Sequence, residues 1–458
     1  MSTDLTPNTA PAPGANPFGE EATATALLRF ATAGSVDDGK STLVGRLLHD
    51  SKSVLADQLE AVEHASRKRG QEAPDLALLT DGLRAEREQG ITIDVAYRYF
   101  ATPRRRFILA DTPGHVQYTR NMVTGASTAE LAVVLVDARN GVVEQTRRHA
   151  AVAALLRVPH VVLAVNKMDL VEYAEPVFAA IAKEFTAYAA SLGVQDVVAV
   201  PISALAGDNV VEPSAHMDWY GGPTLLEHLE TVPVGSDPSD EPARFPVQYV
   251  IRPQGGAGVA EEHRDYRGYA GQLASGVLRK GDAVTVLPSG HTTTVAGIDV
   301  LGRETDIAWA PQSVTVRLSE DIDVSRGDLI AAGRIPTPTK DVTATVCHLH
   351  EKPLRVGDKV LLKHTTRTVR ALVKEISYRI DIDSLEQRSG ADGLSVNDIG
   401  HVKLRTSEPL SLDDYTDNRR TGSFLLIDPA DGTTLTAGMA GEAFDTVALG
   451  ATDEEDWV

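Results

Sequence analysis

The sequence is poor in cysteine, in basic charge and in long apolar runs. Cys347 is the only cysteine among 458 residues, so an internal disulfide is impossible and a reducing compartment is the expected setting. Lys and Arg number 44 against 64 Asp and Glu, which leaves a net charge of −20. So acidic a chain argues against non-specific nucleic-acid binding, for which a basic face is expected.

The sequence also lacks the segments that address a protein to a membrane. No apolar run is long enough to cross a bilayer. Residues 1–24 do not show the basic, apolar and small-residue succession of a secretory signal, and their richness in Pro, Ala and Asn predicts a disordered tail. We therefore expect a cytoplasmic protein with no membrane segment.

A phosphate-binding loop is predicted at residues 34–41, between a strand-like run at Leu27–Ala33 and a helical run at 42–48. The loop is Gly34, Ser35, Val36, Asp37, Asp38, Gly39, Lys40 and Ser41, with Thr42 as the next nucleotide contact. Its glycines let successive N–H groups face one anion, and the helix dipole adds to the attraction. Lys40 is expected to reach the outer phosphates and Ser41 to offer its hydroxyl to Mg²⁺. The alternative is a chance glycine turn, but three further motifs follow in the right order.

The second motif is Asp-Thr-Pro-Gly-His at residues 111–115, directly after a predicted strand. A carboxylate at that strand end is placed to hold Mg²⁺ through water, which is the role expected of Asp111. Gly114 can bring its N–H close to a terminal phosphate. His115 is the candidate that orients the attacking water, and the alternative is a structural histidine.

The charged stretch at residues 84–94 is typical of a segment that a ligand orders and releases. Within it, Thr92 is the candidate sensor of the third phosphate. Its hydroxyl would join Mg²⁺ while its backbone holds the phosphate, and hydrolysis would remove that tether. The alternative is a strand residue that faces solvent.

Residues 166–169, Asn-Lys-Met-Asp, follow another predicted strand and indicate guanine recognition. The Asp169 carboxylate can accept two hydrogen bonds from guanine, whereas adenine has no matching donor pair. Asn166 is expected to brace the pocket and Lys167 to lie along the base. A backbone donor to the guanine oxygen is expected from Ser203, Ala204 and Leu205. In isolation such a motif is more often a polar turn.

Strand-like and helical runs alternate from residue 25 to about 231, which predicts a mostly parallel sheet with helices on both faces. Beyond a linker at 232–242, short apolar runs broken by Gly and Pro predict antiparallel β-barrels. The first runs are 245–251, 283–287 and 314–318, and later ones are 342–349, 359–364 and 369–376. The predicted division is a tail at 1–24, a GTP-binding domain at 25–235, barrels at 236–335 and 336–450, and an acidic end at 451–458.

The stretch from Cys347 to His350 contains the one cysteine and two histidines. Alternation along a strand puts Cys347 and Leu349 on one face and His348 and His350 on the other. Because no second cluster with ligand spacing accompanies it, we do not expect a metal site there.

Together the motifs resemble the translational GTPase superfamily, whose elongation factors carry a GTPase domain and two barrels. The resemblance is closer to one branch, the GTPase subunits of bacterial sulfate adenylyltransferase. It is carried by residues 34–43, 81–100, 117–122, 218–220 and 267–271. Elongation factors usually show His where Ser35 and Asp38 stand, which favours the sulfate branch.

The resemblance implies GTP and Mg²⁺ as cofactors, an apolar gate of Val36 and Ile91 near the attacking water, and His115 acting on that water. It also implies a separate small subunit that joins ATP and sulfate into adenylylsulfate and diphosphate, in a heterodimer or larger assembly without nucleic acid or membrane. With no second phosphate loop, no adenylylsulfate kinase activity is expected. The competing assignments are an elongation factor that delivers aminoacyl-tRNA and a stand-alone regulatory GTPase.

Overall fold

The computed structural model of the chain describes residues 27–52, 60, 62, 64, 66, 67, 76–79, 95–113, 119–194, 196–234, 241–253, 265–382, 384 and 386–442. The predicted tail and the acidic end lie outside these residues, as do residues 254–264 and most of the linker. Within the described part of the chain, none of the helices combines the length and apolar character that crossing a bilayer requires.

The first domain is a six-stranded sheet with helices on both faces. Its strands are β1 (Leu27–Ala33), β2 (Ala96–Ala101), β3 (Arg106–Asp111), β4 (Leu131–Asp137), β5 (His160–Asn166) and β6 (Val197–Pro201). Its helices are α1 (Lys40–Asp50), α2 (Thr119–Ala126), α3 (Glu144–Leu155), α4 (Glu175–Ser191) and α5 (Leu225–Thr231), with short 3₁₀ helices at Leu76–Leu79 and Met168–Val171. The strand order is β2-β3-β1-β4-β5-β6, and only β2 runs antiparallel to its neighbour.

The apolar content of the central strands explains this layering. All seven residues of β4 are buried, as expected for a parallel strand covered on both faces. One core packs α2, α3 and α4 against the sheet, and a second packs α1 and α5 against the opposite face. The predicted α/β domain is therefore confirmed. Helix α4 begins at Glu175, where Pro176 fits the first turn of a helix.

The second domain, which we call the first barrel, is an antiparallel sheet curled around its own core. Its strands are β7 (Arg244–Pro246), β8 (Tyr249–Ile251), β9 (Gly268–Gln272), β10 (Val277–Arg279), β11 (Ala283–Leu287), β12 (His291–Val300), β13 (Arg303–Thr305), β14 (Ile307–Trp309), β15 (Ser313–Leu318) and β16 (Leu329–Ala331). The main order is β7-β16-β11-β12-β15-β9-β8. Buried Phe245, Tyr269, Leu278 and Ile298 belong to its core.

The run at 245–251, predicted as one strand, is divided between β7 and β8. Strand β7 pairs with β16, whereas β8 pairs with β9. Between them the Val247 N–H donates to the Asp328 carbonyl and the Gln248 N–H to the Ala270 carbonyl. Pro246 has no N–H to continue a ladder, so the chain turns from one partner strand to the other at this point.

The third domain, which we call the second barrel, is a closed ring. Its strands are β17 (Thr339–His348), β18 (Leu354–Arg355), β19 (Lys359–His364), β20 (Arg367–Ile380), β21 (Gln387–Ser389), β22 (Gly393–Leu394), β23 (Ile399–Leu410), β24 (Ser423–Ile427) and β25 (Thr434–Ala440). The order β19-β24-β25-β17-β23-β20 closes because β20 pairs with β19. A parallel-sheet domain followed by antiparallel barrels is the predicted fold class, which is confirmed.

Buried polar contacts join the three domains. Arg244 at the start of the first barrel is 1% exposed and forms a bidentate pair with Asp413 of the second barrel, at 2.8 Å for each N–O contact. The Tyr415 hydroxyl donates to the Leu156 carbonyl of the first domain at 3.0 Å. The sheet and the two barrels are therefore linked through specific hydrogen bonds as well as packing.

Candidate nucleotide-binding site

The loop at residues 34–41 has a backbone that only some residue types can adopt. Asp37 and Gly39 have positive φ angles of 67° and 91°. A Cβ on Gly39 would lie 2.5 Å from Asn166 Nδ2, so a side chain does not fit there. The loop thus turns tightly into α1 and brings successive backbone N–H groups to the start of that helix, as an anion-binding nest requires.

Lys40 is buried at the mouth of this loop. Its Nζ donates to the Gly34 carbonyl at 2.8 Å and to the Ser35 carbonyl at 2.9 Å. Burial lowers the pKa of Lys40, while Asp111 and Asp38 oppose that effect. An ammonium group has three donors, so the loop holds the charge in place and leaves donor capacity for a phosphate.

Asp111 ends β3 directly beside the end of β1. The register pairs it with Thr32, whose hydroxyl donates to Asp111 Oδ1 at 3.1 Å. The carboxylate is 2% exposed. Oxygen ligands of this kind suit Mg²⁺, and Ser41 supplies a hydroxyl from the first turn of α1. The sequence analysis did not identify Thr32 as a partner of Asp111. The available signal was its position near the end of the strand that precedes the phosphate loop.

The base-reading residues meet the loop through Asn166. Its Nδ2 donates to the Asp38 carbonyl at 2.7 Å, and its Oδ1 accepts from the Ala204 N–H at 2.9 Å. The Ser203 hydroxyl donates to Asp169 Oδ1 at 2.7 Å, which orients that carboxylate. The structure therefore brings together the loop, the 166–169 motif and the 203–204 segment, as the sequence analysis expects. The Ala204 N–H, the expected donor to guanine, donates to Asn166 here.

Asp137 was missed by the sequence analysis. It ends β4, pairs in register with Asn166, and contacts Lys167 Nζ at 2.9 Å and the Arg139 guanidinium at 2.6 Å. Burial opposes its ionisation, but hydrogen bonds from Arg139 and Lys167 outweigh burial and hold its pKa below the usual range. Asp137 thus anchors the ammonium group of Lys167, and its place at a carboxyl end of the sheet was the available signal.

Arg46 ties the 203–205 segment to α1. Its Nε donates to the Ala204 carbonyl at 3.2 Å and a terminal nitrogen donates to the Leu205 carbonyl. The Leu205 side chain is 71% exposed and Val36 is 38% exposed, so both stand at the rim of the site. Ile91, Thr92, Gly114 and His115 lie outside the described residues, and their assigned roles stay predictions.

The Cys347–His350 stretch forms hydrogen bonds within the second barrel. Cys347 and His348 are buried, and the His348 ring nitrogens lie 3.0 Å from Thr436 Oγ1 and 2.8 Å from the Lys352 carbonyl. Across the part of the chain that the structure describes, there is no group of three or more His, Cys, Asp or Glu side chains that could hold a metal ion.

Comparison with known protein families agrees with the geometry. Residues 25–233 match the elongation factor Tu GTP-binding domain, and residues 341–440 match the GTP-eEF1A C-terminal domain-like family. These two matches cover the sheet domain and nearly all of the second barrel.

Curated relatives are similar over almost the whole chain. A bifunctional enzyme CysN/CysC from Mycobacterium tuberculosis is 58% identical, over 91% of this chain and 67% of the relative. Sulfate adenylyltransferase subunit 1 of Bacteroides fragilis is 50% identical over 90% and 85% of the two chains. That of Salmonella typhimurium is 50% identical over 91% and 86%. The chain belongs to the sulfate adenylyltransferase subunit 1 family, within the translational GTPase superfamily.

Proposed function

We propose that this chain is the Mg²⁺-dependent GTPase subunit of a sulfate adenylyltransferase. The observation that carries the proposal is the position of Asn166, which bonds the phosphate loop at Asp38 and the base-reading segment at Ala204. One side chain thereby sets the distance between the two halves of a guanine nucleotide site. The family relationship supplies the reaction that this site serves.

The nucleotide roles follow the predicted assignment. Backbone N–H groups of residues 34–42 receive the phosphates, with Lys40 reaching the outer ones. Asp169, held by Ser203, accepts the two guanine donors. ATP would leave this carboxylate unsatisfied, so the pocket favours GTP.

Three side chains are assigned to the metal: Ser41, Thr92 and Asp111. When bound, Mg²⁺ neutralises charge on the outer phosphates. Asp111 is held for this role by Thr32, which fixes one carboxylate oxygen at 3.1 Å. His115 is assigned to orient the attacking water, and Val36 and Ile91 to shield it.

GTP turnover would drive a reaction on a second polypeptide. A small subunit joins ATP and sulfate into adenylylsulfate and diphosphate, which is uphill because the product contains a phosphate–sulfate anhydride. Segments 86–94 and 111–118 would be ordered by the third phosphate and released by hydrolysis. The nucleotide biases the partner only if the partner binds these two states with different affinity. We place this heterodimer or larger complex in the cytoplasm.

Reconstitution tests the proposal. The chain is combined with the small subunit, ATP, sulfate and GTP, and adenylylsulfate and GDP are measured together. Adenylylsulfate should accumulate only while GTP is consumed, and a non-hydrolysable GTP analogue should stop accumulation. Equal adenylylsulfate yields with and without GTP would contradict the proposal.

Two simple measurements distinguish the proposed function from the two competing assignments. GTP-dependent capture of aminoacyl-tRNA on a filter would favour an elongation factor. GTP turnover that ignores sulfate and the small subunit would favour a stand-alone regulatory GTPase.

A variant of His115 tests the hydrolysis step separately from binding. The His115→Ala variant should keep its affinity for GTP and lose most of its turnover. General acid–base catalysis by a positioned side chain typically contributes about 10²–10⁴-fold to the rate. The measurement pairs equilibrium GTP binding with phosphate release. Unchanged phosphate release would reject the role given to His115.

A further inference from the structure

A buried carboxyl group lies within the phosphate loop. Asp38 is 5% exposed, whereas its neighbour Asp37 is exposed. A site that receives a polyanion gains nothing from a buried negative charge beside it, since like charges oppose each other strongly away from water. The side chain of Asp38 therefore requires an explanation that the general phosphate-loop pattern does not supply.

The contacts of Asp38 show what this residue does for the loop. Its Oδ2 accepts the Ser35 N–H at 2.5 Å, and its own N–H points back to the Ser35 carbonyl at 3.4 Å. Its carbonyl accepts from Asn166 Nδ2 at 2.7 Å. One residue thus closes the turn at 35–38 and connects that turn to the base-reading motif.

The charges around Asp38 come from three elements. Burial raises its pKa, and Asp137 at the end of β4 acts in the same direction. The Ser35 N–H, Lys40 at the start of α1 and Lys167 after β5 act against that rise. Because Lys40 is also assigned to the outer phosphates, a bound polyphosphate competes with Asp38 for the charge of Lys40.

We propose that Asp38 is a positioning residue whose carboxyl shapes the phosphate loop and takes up a proton from solvent when a guanine nucleotide binds. The proton goes to Oδ1, and Oδ2 continues to accept the Ser35 N–H. Protonation removes the negative charge beside the phosphates and keeps the turn closed. This inference rests on the proposed function, because it requires guanine nucleotide binding at this loop.

Two substitutions separate the shape of the loop from its charge. Asp38→Asn keeps an acceptor for Ser35 and removes the charge, whereas Asp38→Leu has a similar size and no acceptor. Calorimetric titration with GDP and Mg²⁺, at an acidic pH where Asp38 is protonated with and without nucleotide, should show affinity within about threefold of wild type for Asp38→Asn. Asp38→Leu should bind about tenfold or more weakly, because it leaves the half-buried Ser35 N–H without its acceptor. Equal affinity of all three proteins would overturn the positioning role.

The proton is counted by repeating the titration in two buffers that differ in ionisation enthalpy, over a pH series from acidic to neutral. Below the pKa of the free protein's carboxyl, Asp38 is already protonated and adds nothing. Between that pKa and the higher one in the complex, wild type should take up more protons than Asp38→Asn. Asp37→Asn, which removes an exposed charge from the same loop, should keep the wild-type count.

The outcomes are distinguishable. Equal proton counts for wild type and Asp38→Asn at every pH would overturn the proton uptake. If wild type binds no guanine nucleotide, the proposed function fails. If it binds and the Asp38 variants match it, only this inference fails. If Asp38→Leu does not fold, the proton counts of wild type and Asp38→Asn still decide whether Asp38 takes up a proton.

Discussion

At the scale of single residues, the site depends on a few atoms whose positions are fixed by neighbours. Asp169 is oriented by the Ser203 hydroxyl, Asp111 by the Thr32 hydroxyl, and Lys167 by Asp137. Each supporting group lies at the carboxyl end of a strand or just beyond it. These contacts fix the side chains to which the proposed function assigns guanine and Mg²⁺ binding.

Asp169→Asn should weaken the preference for guanine and admit xanthine nucleotides. The amide can donate to the oxygen that xanthine carries in place of the guanine amino group, whereas it loses one acceptor for guanine. A loss of about 1–3 kcal/mol in GTP binding is expected, or roughly fivefold to 150-fold. Competition between GTP and xanthosine triphosphate measures it.

Asp196→Asn is the matched control, because Asp196 is half exposed and precedes β6 at the opposite end of the sheet. This variant should keep the wild-type preference. A guanine preference in Asp169→Asn as strong as that of Asp196→Asn would contradict the role of Asp169.

Gly39→Ala should abolish tight nucleotide binding. An alanine there would adopt a left-handed backbone, at a cost of roughly 1–2 kcal/mol, and its Cβ would lie 2.5 Å from Asn166 Nδ2. Gly193→Ala is the control, since Gly193 has a similar φ of 82° with no atom within 4 Å of its Cβ. Urea unfolding should show both variants destabilised, and only Gly39→Ala should lose GDP affinity by more than about tenfold.

At the scale of secondary structure elements, helix α5 depends on an arginine from a distant hairpin. Arg105 lies in the turn between β2 and β3 and is 8% exposed. Its Nη1 donates to the Leu229 carbonyl at 2.9 Å and the Val232 carbonyl at 2.7 Å. These carbonyls end α5, where a cation also complements the helix dipole.

Arg105→Met should destabilise the first domain by about 1–3 kcal/mol, because two buried carbonyls lose their donor. Arg106→Met, at the exposed neighbouring position, should change stability by less than about 0.5 kcal/mol. Denaturant unfolding of the two variants checks the difference. Equal loss in both would show that the carbonyls of α5 do not need Arg105.

The elements that the sequence predicts well are those with one dominant signal. Strands β4 and β5 are uninterrupted apolar runs, and the phosphate loop has a fixed spacing. The break between β7 and β8 was not predicted, because it depends on which strands lie beside each half of the run. Asp137 was missed for the same reason, since its contact with Lys167 comes from neighbouring strands and not from spacing along the chain.

At the scale of the whole molecule, the two barrels meet at a buried ion pair. Asp413 Oδ1 and Oδ2 accept from Arg244, and Thr421 donates to the same carboxylate at 2.6 Å. Burial opposes the ionisation of Asp413, but the bonds from Arg244 and Thr421 outweigh burial and keep the pKa of Asp413 below its usual range. Both charges are therefore present at neutral pH.

Asp413→Asn should destabilise the protein by about 3–5 kcal/mol, because Arg244 would stay buried without a counter-charge. Asp341→Asn is the control: Asp341 is 73% exposed in its pair with Arg405, and its loss should cost less than about 1 kcal/mol. Thermal unfolding of both variants at neutral pH measures the difference.

The lowered pKa of Asp413 also predicts how the effect of Asp413→Asn on stability changes with pH. A carboxyl whose pKa is lowered by folding contributes its full stabilisation above its unfolded pKa, and loses it as the pH falls through the folded value. The gap in stability between wild type and Asp413→Asn should therefore be widest at neutral pH and shrink as the pH drops below about 4. A gap that stays constant on acidification would contradict the assignment.

The contacts of the Arg244 guanidinium also have a consequence for the folding and unfolding rates of the chain. Its partner carboxylate is 169 positions away, and further bonds go to the carbonyls of Ala332 and Arg334. The pair with Asp413 cannot form until both barrels have folded and docked, so it belongs to the last stage of assembly. Interactions absent from the transition state act on the unfolding rate, so this contact is expected to slow the opening of the assembled protein rather than to speed its formation.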